Sequence, residues 1–383
     1  MEIREGFLRT ELGGRAYVLP FGQNIADCCE GISLNETGEL LWRGMESGCG
    51  SEELVRFLGQ TYGLPEEMEG RLKEDVEGFR KYLAEMGMLQ GGEGEEYGWN
   101  PLYFSSGPLK IAYKGPEVVY QKYFQQFACG EGEGDLTVQI ACMPPRHRIN
   151  GRVILRNGEV VLIDGGSVYI FLFPGFPVLA EMHVRKDGTH ALLFCEYDLI
   201  DRDAEDIFHA IRFAVLVAAS ERGLFFLHSA SLLYRGRAWL FSGRSGAGKS
   251  THANLWREAY GVELLNGDLN MLGIEEGAVM VYGQPWCGTS GISTEKSYPL
   301  GGIAFLKKAL ENSCEVPETS EKILAMVQRM ISPAWEEVLL RRNIAFAEKV
   351  ERHCPVWRLS CRPDREAAAV MKNTVDESLG TRE

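Results

Sequence analysis

The clearest hydrophobic pattern in the chain lies between residues 65 and 87. Pro65 suits the first turn of a helix, and Gly87 suits its end. Between them, apolar side chains recur at steps of three and four residues, the period of a helix with one buried face: Met68, Leu72, Val76, Phe79, Leu83 and Met86. The pattern predicts an amphipathic helix from Pro65 to Met86 that Gly87 terminates.

Shorter patterns before this helix predict the rest of a small domain. Phe7–Leu19 alternates like two strands that turn at Gly13-Gly14, because paired glycines supply the positive φ of a tight hairpin. Gly31–Leu34 adds a third strand, after which Asn35 caps one helix and Ser51 begins another. Three strands and three helices indicate a small winged-helix-like domain.

The middle of the chain predicts mostly strands. Asp164, which precedes two glycines, fits a turn residue on a hairpin better than a binding residue. An apolar, buried helix is predicted from Ile207 to Ala219. We interpret residues 99–219 as a β-rich layer that supports the next segment, with strands at Leu136–Ile140, Val153–Leu155, Val160–Ile163 and Val168–Leu172.

Charge divides the chain into two parts. The 383 residues carry a formal net charge of −14, of which −11 falls on residues 1–100. This acidity disfavours binding to nucleic acid, and its uneven distribution indicates a separate N-terminal module. Glycine and glutamate dominate the stretch after Gln90, where neither a helix nor a core is favoured. We predict one domain at 1–92, a linker at 93–98 and a second domain at 99–383 with a nucleotide-binding core at 220–310.

Composition also limits the location and the metal chemistry. No apolar run reaches the roughly 18 residues of a membrane span, and the first residues lack the apolar core of a signal peptide. The sequence therefore predicts a cytoplasmic protein with no membrane partner. Its ten cysteines form no C-x-x-C pair, so they are expected to be reduced thiols. A metal ion is expected only together with a nucleotide.

The strongest chemical signal is a phosphate loop. After the strand-like run Ala238–Phe241, residues 243–250 read Gly-Arg-Ser-Gly-Ala-Gly-Lys-Ser, the pattern G-x-x-x-x-G-K-S/T. Its glycines let backbone N–H groups turn toward phosphate oxygens, and a helix beginning near Lys249 adds its positive end. Lys249 would reach the β- and γ-phosphates, and the Ser250 hydroxyl would coordinate Mg²⁺. We expect ATP to contact Gly243, Ser245, Gly246, Ala247, Gly248, Lys249, Ser250 and Thr251.

A carboxylate follows this loop at short range. Val262–Leu265 predicts a strand that leads to Asn266-Gly267-Asp268, only 18 residues after Ser250. A right-handed crossover places this strand near the strand before the loop, so Asp268 should emerge beside the phosphates. There Asp268 can bind Mg²⁺ or accept a hydroxyl proton.

The N-terminal module resembles a known family. Residues 32–42 read Ile-Ser-Leu-Asn-Glu-Thr-Gly-Glu-Leu-Leu-Trp, and with Leu54–Gly63 and Leu83–Leu89 they resemble PqqD-like peptide-recognition domains. Those domains occur in clusters that make ribosomally synthesised, post-translationally modified peptides. The resemblance implies that a precursor's leader peptide adds a strand to the sheet edge, in a groove between Gly31–Leu34 and the helix from Pro65 to Met86. The alternative is a winged helix that binds DNA or forms a dimer, and the acidity argues against DNA.

The second module resembles HPr kinases, bacterial serine kinases that share the phosphoenolpyruvate carboxykinase fold. The resemblance runs from Leu227-His228-Ser229-Ala230 through the phosphate loop and Asp268 to residues 282–288 and 299–306. It implies that His228 lies at the reacting phosphate and that Asp268, His228 and Lys249 are catalytic. Without the resemblance, a lone histidine between Leu227 and Ser229 is more typical of a packed core residue than of a catalytic one. Two departures stand out: Gly267 occupies the place of a second, adjacent acid, and residues 282–294 contain no Asp or Glu.

Three further side chains invite a chemical role. Cys287 has no adjacent histidine, which favours a packing thiol over a nucleophile. Arg341 and Arg342 could contact phosphate, but a solvated helix face is the simpler interpretation.

These patterns predict a mixed α/β chain in which a winged-helix-like domain precedes a β-rich phosphate-loop domain, and the resemblance implies that the latter is a kinase domain of HPr kinase type. We interpret it as an ATP-dependent kinase that phosphorylates a Ser or Thr of a precursor peptide recruited by the N-terminal domain. One alternative is a nucleotide-gated peptide-binding chaperone without transfer activity. Another is a regulatory serine kinase that acts on a carrier protein. The sequence leaves open the identity of the peptide, the acceptor residue, the preference among ATP, GTP and pyrophosphate, and whether the chain forms a homo-oligomer.

Overall fold

The chain is described by a computed structural model that covers residues 2–3, 6–26, 30–65, 68–86, 88–90, 99–141, 151–176, 179–195 and 204–380. Its residues belong to two units, one within Met1–Tyr97 and the other made of Gly98–Met143 and Gly151–Glu383. The proposed linker 93–98, and Cys28, Cys29 and Cys142, lie outside the described residues. The domain limits drawn from the sequence therefore stay a prediction.

The first unit combines antiparallel strands with helices. Its main sheet has the order β2-β3-β4, and β1 pairs separately with β5. The strands are β1 (Glu2–Ile3), β2 (Phe7–Leu12), β3 (Arg15–Pro20), β4 (Ile32–Leu34) and β5 (Leu89–Gln90). The helices are α1 (Gln23–Ala26), α2 (Glu36–Glu46), α3 (Ser51–Tyr62) and α4 (Glu69–Glu85). The winged-helix description remains a prediction.

Local sequence signals account for most of these boundaries. Gly13 and Gly14 turn the β2–β3 hairpin with φ values of 58° and 76°, a region that favours glycine. The Asn35 side chain accepts a hydrogen bond from the N–H of Gly38 at 2.7 Å and so caps α2. The start of the long helix was predicted wrongly, because α4 begins at Glu69 and leaves Pro65 before it. Its predicted apolar face is confirmed, since Leu72, Val76 and Leu83 are buried in the core of this unit.

The second unit begins with a sheet of eight strands in the order β6-β7-β8-β13-β12-β11-β10-β9. The strands are β6 (Leu102–Ser106), β7 (Leu109–Lys114), β8 (Leu136–Ala141), β9 (Arg152–Arg156), β10 (Val161–Asp164), β11 (Val168–Leu172), β12 (Leu179–Arg185) and β13 (His190–Cys195). Helices α5 (Glu117–Tyr123) and α6 (Ala204–Glu221) accompany them. Helix α6 is the apolar helix that the sequence predicts, and most of its side chains are buried.

A second group of strands carries the phosphate loop. It contains β14 (Phe225–Tyr234), β15 (Arg237–Ser242), β16 (Glu263–Asn266), β17 (Leu269–Glu275), β18 (Ala278–Tyr282), β19 (Tyr298–Lys308), β20 (Ser313–Glu315) and β21 (Val356–Cys361). The helices are α7 (Lys249–Tyr260), α8 (Thr319–Val327), α9 (Glu337–His353) and α10 (Arg365–Gly380). Strands β15, β19 and β21 run parallel, so their carboxyl ends meet at one edge of the sheet. The architecture is mixed α/β, and no described helix is long and apolar enough to cross a bilayer.

Candidate functional site

The phosphate-loop sequence connects β15 directly to α7, as the sequence predicts. Gly243, Gly246 and Gly248 adopt φ values of 154°, 71° and 100°, which side chains with a Cβ rarely adopt. A Cβ at Gly243 would also lie 3.1 Å from the carbonyl oxygen of Leu306 on β19. The loop therefore wraps closely over the parallel strand ends and reaches the first turn of α7 at Lys249.

Lys249 is a buried cation at this helix start. Lys249 is only 9% exposed, and no described carboxylate lies within ion-pair distance of its ammonium group. Burial lowers the pKa of Lys249, the nearby charge of Asp268 opposes that effect, and the charge of Arg329 adds to it. An ammonium group in this position favours an anionic ligand, because neither solvent nor a fixed counter-ion fully compensates its charge.

Asp268 lies beside His228, although β14 and the turn after β16 supply them separately. The Nε2 atom of His228 is 3.0 Å from Oδ1 of Asp268. The turn is held by Asn266, whose Oδ1 accepts the N–H of Asp268 at 2.9 Å. The hydrogen bond from His228 lowers the pKa of Asp268, burial opposes this, and the charges of Lys249 and Arg212 lower it further. Asp268 is therefore an ionised, half-exposed carboxylate near the phosphate loop.

The structure gives a reason for the glycine at position 267. A Cβ at Gly267 would overlap the side chain of Ser290. Ser290 is fixed there because its hydroxyl donates to the carbonyl of Cys287 at 2.7 Å. Gly288 lies close to the neighbouring Asp268, since a Cβ at Gly288 would be 2.7 Å from Cβ of Asp268. The Cys287–Ser290 loop thus takes the space that a second acid would need.

Two arginines of this region were missed by the sequence analysis. The N–H of His228 donates to the carbonyl of Arg329 at 2.9 Å, which brings the segment before Met330 alongside β14. Arg212 lies on α6, and its charge acts on Asp268. A signal for Arg212 was present, since it is the only Lys, Arg, Asp or Glu between Ile207 and Ala219.

A cavity of about 420 Å³ opens beside the loop. One side is formed by Gly246 and by Thr251 and Leu255 of α7, and the other by Lys308 and Arg362 at the ends of β19 and β21. A volume of this size holds a small organic molecule. The cavity thus continues from the phosphate loop along the carboxyl edge of the parallel strands.

The first unit contains a separate groove of about 640 Å³. Strand β4 pairs with β3 on one side, and it has no strand partner among the described residues on the other. Phe79 and Tyr82 of α4 line the groove together with Arg15, Glu36 and Glu39. This is the location that the sequence resemblance implies for a leader peptide, between the strand at residues 31–34 and the long helix.

The remaining candidates have structural partners. Arg341 pairs with Glu337 at 2.6 Å on an exposed face of α9, and Arg342 pairs with Glu221. Asp164 accepts the N–H of Gly166 at 3.0 Å, as expected of a turn residue. Burial raises the pKa of the Cys287 thiol, which disfavours the thiolate form that a nucleophile needs.

Comparison with known proteins gives similarity to solved structures alone. No protein-family model and no curated protein matches the chain. TbiB1 in complex with the TbiA(beta) leader peptide matches the N-terminal region at 19% identity, covers 24% of this chain and 100% of its own, and has a TM-score of 0.21. The HPr(Ser) kinase/phosphatase from Coxiella burnetii matches at 13% identity, covers 41% of this chain and 94% of its own, and has a TM-score of 0.26. These are the two kinds of protein that the sequence resembles.

Proposed function

We propose that the protein transfers the γ-phosphoryl group of ATP to a Ser or Thr hydroxyl of a peptide that its N-terminal unit recruits. The observation that carries the proposal is the pairing of Asp268 with His228 within reach of the charge of Lys249. A nucleotide-dependent switch needs a phosphate loop alone. Transfer to a hydroxyl also needs an ionised group that orients the hydroxyl and accepts its proton.

The residues present fit Mg-ATP. The positive-φ glycines form a backbone cradle of the kind that binds phosphate, and Lys249 is a buried cation without a described carboxylate partner. Ser250 is an exposed residue in the first turn of α7, and Asp268 is ionised. Hydroxyl and carboxylate oxygens are the ligands that Mg²⁺ prefers. Ser250 and Asp268 would therefore hold the metal, and the loop would hold the phosphates.

Each side chain then has a defined task. Bound Mg-ATP supplies the phosphoryl group and a cation that reduces its negative charge. Lys249 would contact the β- and γ-phosphates, and Asp268 would accept the hydrogen bond and then the proton of the acceptor hydroxyl. The sequence resemblance implies that His228 contacts the transferred phosphate. Because its Nε2 faces Asp268, we assign His228 to positioning that carboxylate.

The groove of the first unit supports the recruitment of a peptide. An unpaired strand edge binds an extended segment through main-chain hydrogen bonds, and the side chains beside it select the sequence. Tyr82 of α4 is 45% exposed and lines the groove, so its ring is available to pack against a bound side chain. Tethering the leader there raises the local concentration of the acceptor hydroxyl, and the transfer site then needs little affinity of its own.

One observation favours a second candidate function. The loop that carries Ser290 leaves no room for a second acid beside Asp268. A single carboxylate would have to serve both metal binding and proton transfer. A chaperone that binds nucleotide and peptide but transfers no phosphate needs only the first of these tasks.

Mass spectrometry decides between the two. The full chain is incubated with Mg-ATP and a candidate precursor taken from the short reading frames beside its gene. A kinase adds about 80 Da, the mass of one phosphate on a hydroxyl. Asp268→Asn should lower kcat by about 10²- to 10⁴-fold with a smaller effect on the Kd of the nucleotide. Glu337→Gln, at an exposed position on α9, is the control and should transfer at the wild-type rate.

Two results would contradict the proposal in different ways. If the wild type binds ATP and precursor together and no adduct forms, the protein is the chaperone. If Asp268→Asn transfers phosphate at the wild-type rate, the kinase survives and the assignment of Asp268 is wrong.

A further inference from the structure

A chain of hydrogen bonds ties helix α6 to the loop that carries Asp268. The carbonyl of Phe208 accepts the indole N–H of Trp286 at 3.0 Å. The carbonyl of Trp286 in turn accepts the side-chain N–H of Asn266 at 3.0 Å, and Asn266 holds the N–H of Asp268 at 2.9 Å. Arg212 is one helical turn beyond Phe208 and therefore lies on the same face of α6. The fold thus directs Arg212 toward the side of the site where Asp268 lies.

Arg212 carries one buried hydrogen-bond donor, Nε, that has no partner among the described residues. Asp268, the described carboxylate whose charge acts on Arg212 most strongly, pairs with His228 instead. The only described cation–π contact of Arg212 is with the ring of the adjacent residue Phe213, whose centroid is 5.7 Å from the guanidinium carbon. A buried donor without a partner costs free energy, and it costs more when the group is charged. A ligand that accepts hydrogen bonds would remove this cost.

The charge around the site specifies that ligand. Lys249, Arg212 and Arg329 bring three cations to this region, where the charge of Asp268 acts on Lys249 and Arg212 and the charge of Glu159 also acts on Arg212. The excess of positive charge suits a polyphosphate. A guanidinium group binds two phosphate oxygens at once through its fork of N–H donors, which an ammonium group cannot do.

We propose that Arg212 is a catalytic residue that binds the oxygens of the phosphoryl group while it is transferred. This assignment rests on the proposed kinase function. In the transfer, the acceptor oxygen forms a bond to the γ-phosphorus as the bond from that phosphorus to the β,γ-bridging oxygen breaks. The hydroxyl proton passes to Asp268, and ADP leaves. Arg212 acts as a second cation beside Lys249 on the group whose charge spreads in the transition state.

Binding of a transition-state mimic tests the role of Arg212 without a peptide. Mg-ADP alone occupies the loop, and aluminium fluoride added to it imitates the phosphoryl group in transfer. The wild type should bind Mg-ADP at least tenfold more tightly when fluoroaluminate is present. Arg212→Gln should lose that gain and change the Kd of Mg-ADP alone less than about twofold. Arg212→Lys should keep part of the gain, because it retains the charge and loses the fork.

Control variants distinguish a specific role of Arg212 from loss of folding and from failure of the proposed kinase function. Arg341→Gln removes an arginine from an exposed helix face and should keep the full gain. Thermal unfolding of each variant shows whether it is folded, and Arg212→Lys keeps the assignment testable if the glutamine variant unfolds. If the wild type gains nothing from fluoroaluminate, the proposed kinase function fails and Arg212 loses its role with it. If the wild type gains affinity and both Arg212 variants gain as much, only the assignment of Arg212 is wrong.

Discussion

The imidazole of His228 and the carboxylate of Asp268 meet at 3.0 Å, from Nε2 to Oδ1. The contact joins the middle of β14 to the turn before β17, and the backbone reinforces it, since the N–H of Ser229 donates to the carbonyl of Asp268 at 2.9 Å. These contacts favour the ionised form of Asp268 and fix the orientation of its carboxylate. A group that receives a hydroxyl proton requires both properties.

The first prediction concerns the acid side of the pH profile. The hydrogen bond from His228 lowers the pKa of Asp268, so activity that needs the carboxylate persists as pH falls and is lost only near that lowered pKa. His228→Ala removes the donor and should move the loss of kcat/KM to higher pH, toward the ordinary carboxyl pKa of about 3.9. The measurement is the pH dependence of phosphate transfer, with exposed His353 replaced by alanine as the control. An unmoved acid limb in His228→Ala would show that this hydrogen bond does not set the ionisation of Asp268.

The second prediction concerns the space at Gly267. Gly267→Ala should lower the free energy of unfolding by about 1–3 kcal/mol, because its Cβ would overlap Ser290. Adding Ser290→Gly should recover part of that loss, and the double-mutant cycle should give a coupling of at least about 0.5 kcal/mol. Chemical denaturation of the four proteins measures this coupling. Additive effects would mean that Ser290 is not what excludes a side chain from position 267.

The third prediction separates peptide recognition from transfer. Tyr82→Ala should weaken binding of the leader segment of the precursor by about tenfold or more, because Tyr82 supplies exposed apolar surface to the groove. Phe57→Ala removes an aromatic side chain of similar exposure, 41%, that does not line the groove, and should leave affinity unchanged. Lys249→Ala should abolish transfer and keep leader binding. Titration of a labelled leader measures binding in the three variants, and mass spectrometry of the precursor measures transfer by Lys249→Ala. Equal losses of affinity in Tyr82→Ala and Phe57→Ala would place the leader elsewhere.

The fourth prediction concerns stability in mild acid. Burial lowers the pKa of His252 from 6.5 to about 4, so the folded protein keeps this imidazole neutral where the unfolded chain already binds a proton. Stability should therefore fall as pH falls from about 6.5 to about 4, by about 3 kcal/mol for this group at 1.36 kcal/mol per unit of pKa. His252→Gln does not titrate and can still accept the indole N–H of Trp256, which lies 3.2 Å from Nε2. Its unfolding free energy should depend less on pH in that window, and an equal slope in both proteins would contradict the assignment.

The sequence by itself determined the features that depend on near neighbours. The hairpin at Gly13-Gly14, the cap at Asn35 and the strand, loop and helix around residues 243–250 all follow from residues within a few positions of one another. Backbone φ preferences and the periods of strand and helix are local properties, so a short window of sequence contains them.

Only the tertiary structure decided which side chains meet. The order of the strands sets the pairing of His228 with Asp268, and the packing of α6 against Trp286 sets the position of Arg212. The space beside Gly267 depends on a loop that begins after Trp286. Hydrophobic periodicity states which face of an element is buried but not which element covers it, because many strand orders bury the same faces equally well. The chemistry of the site therefore followed from contacts that no local pattern specifies.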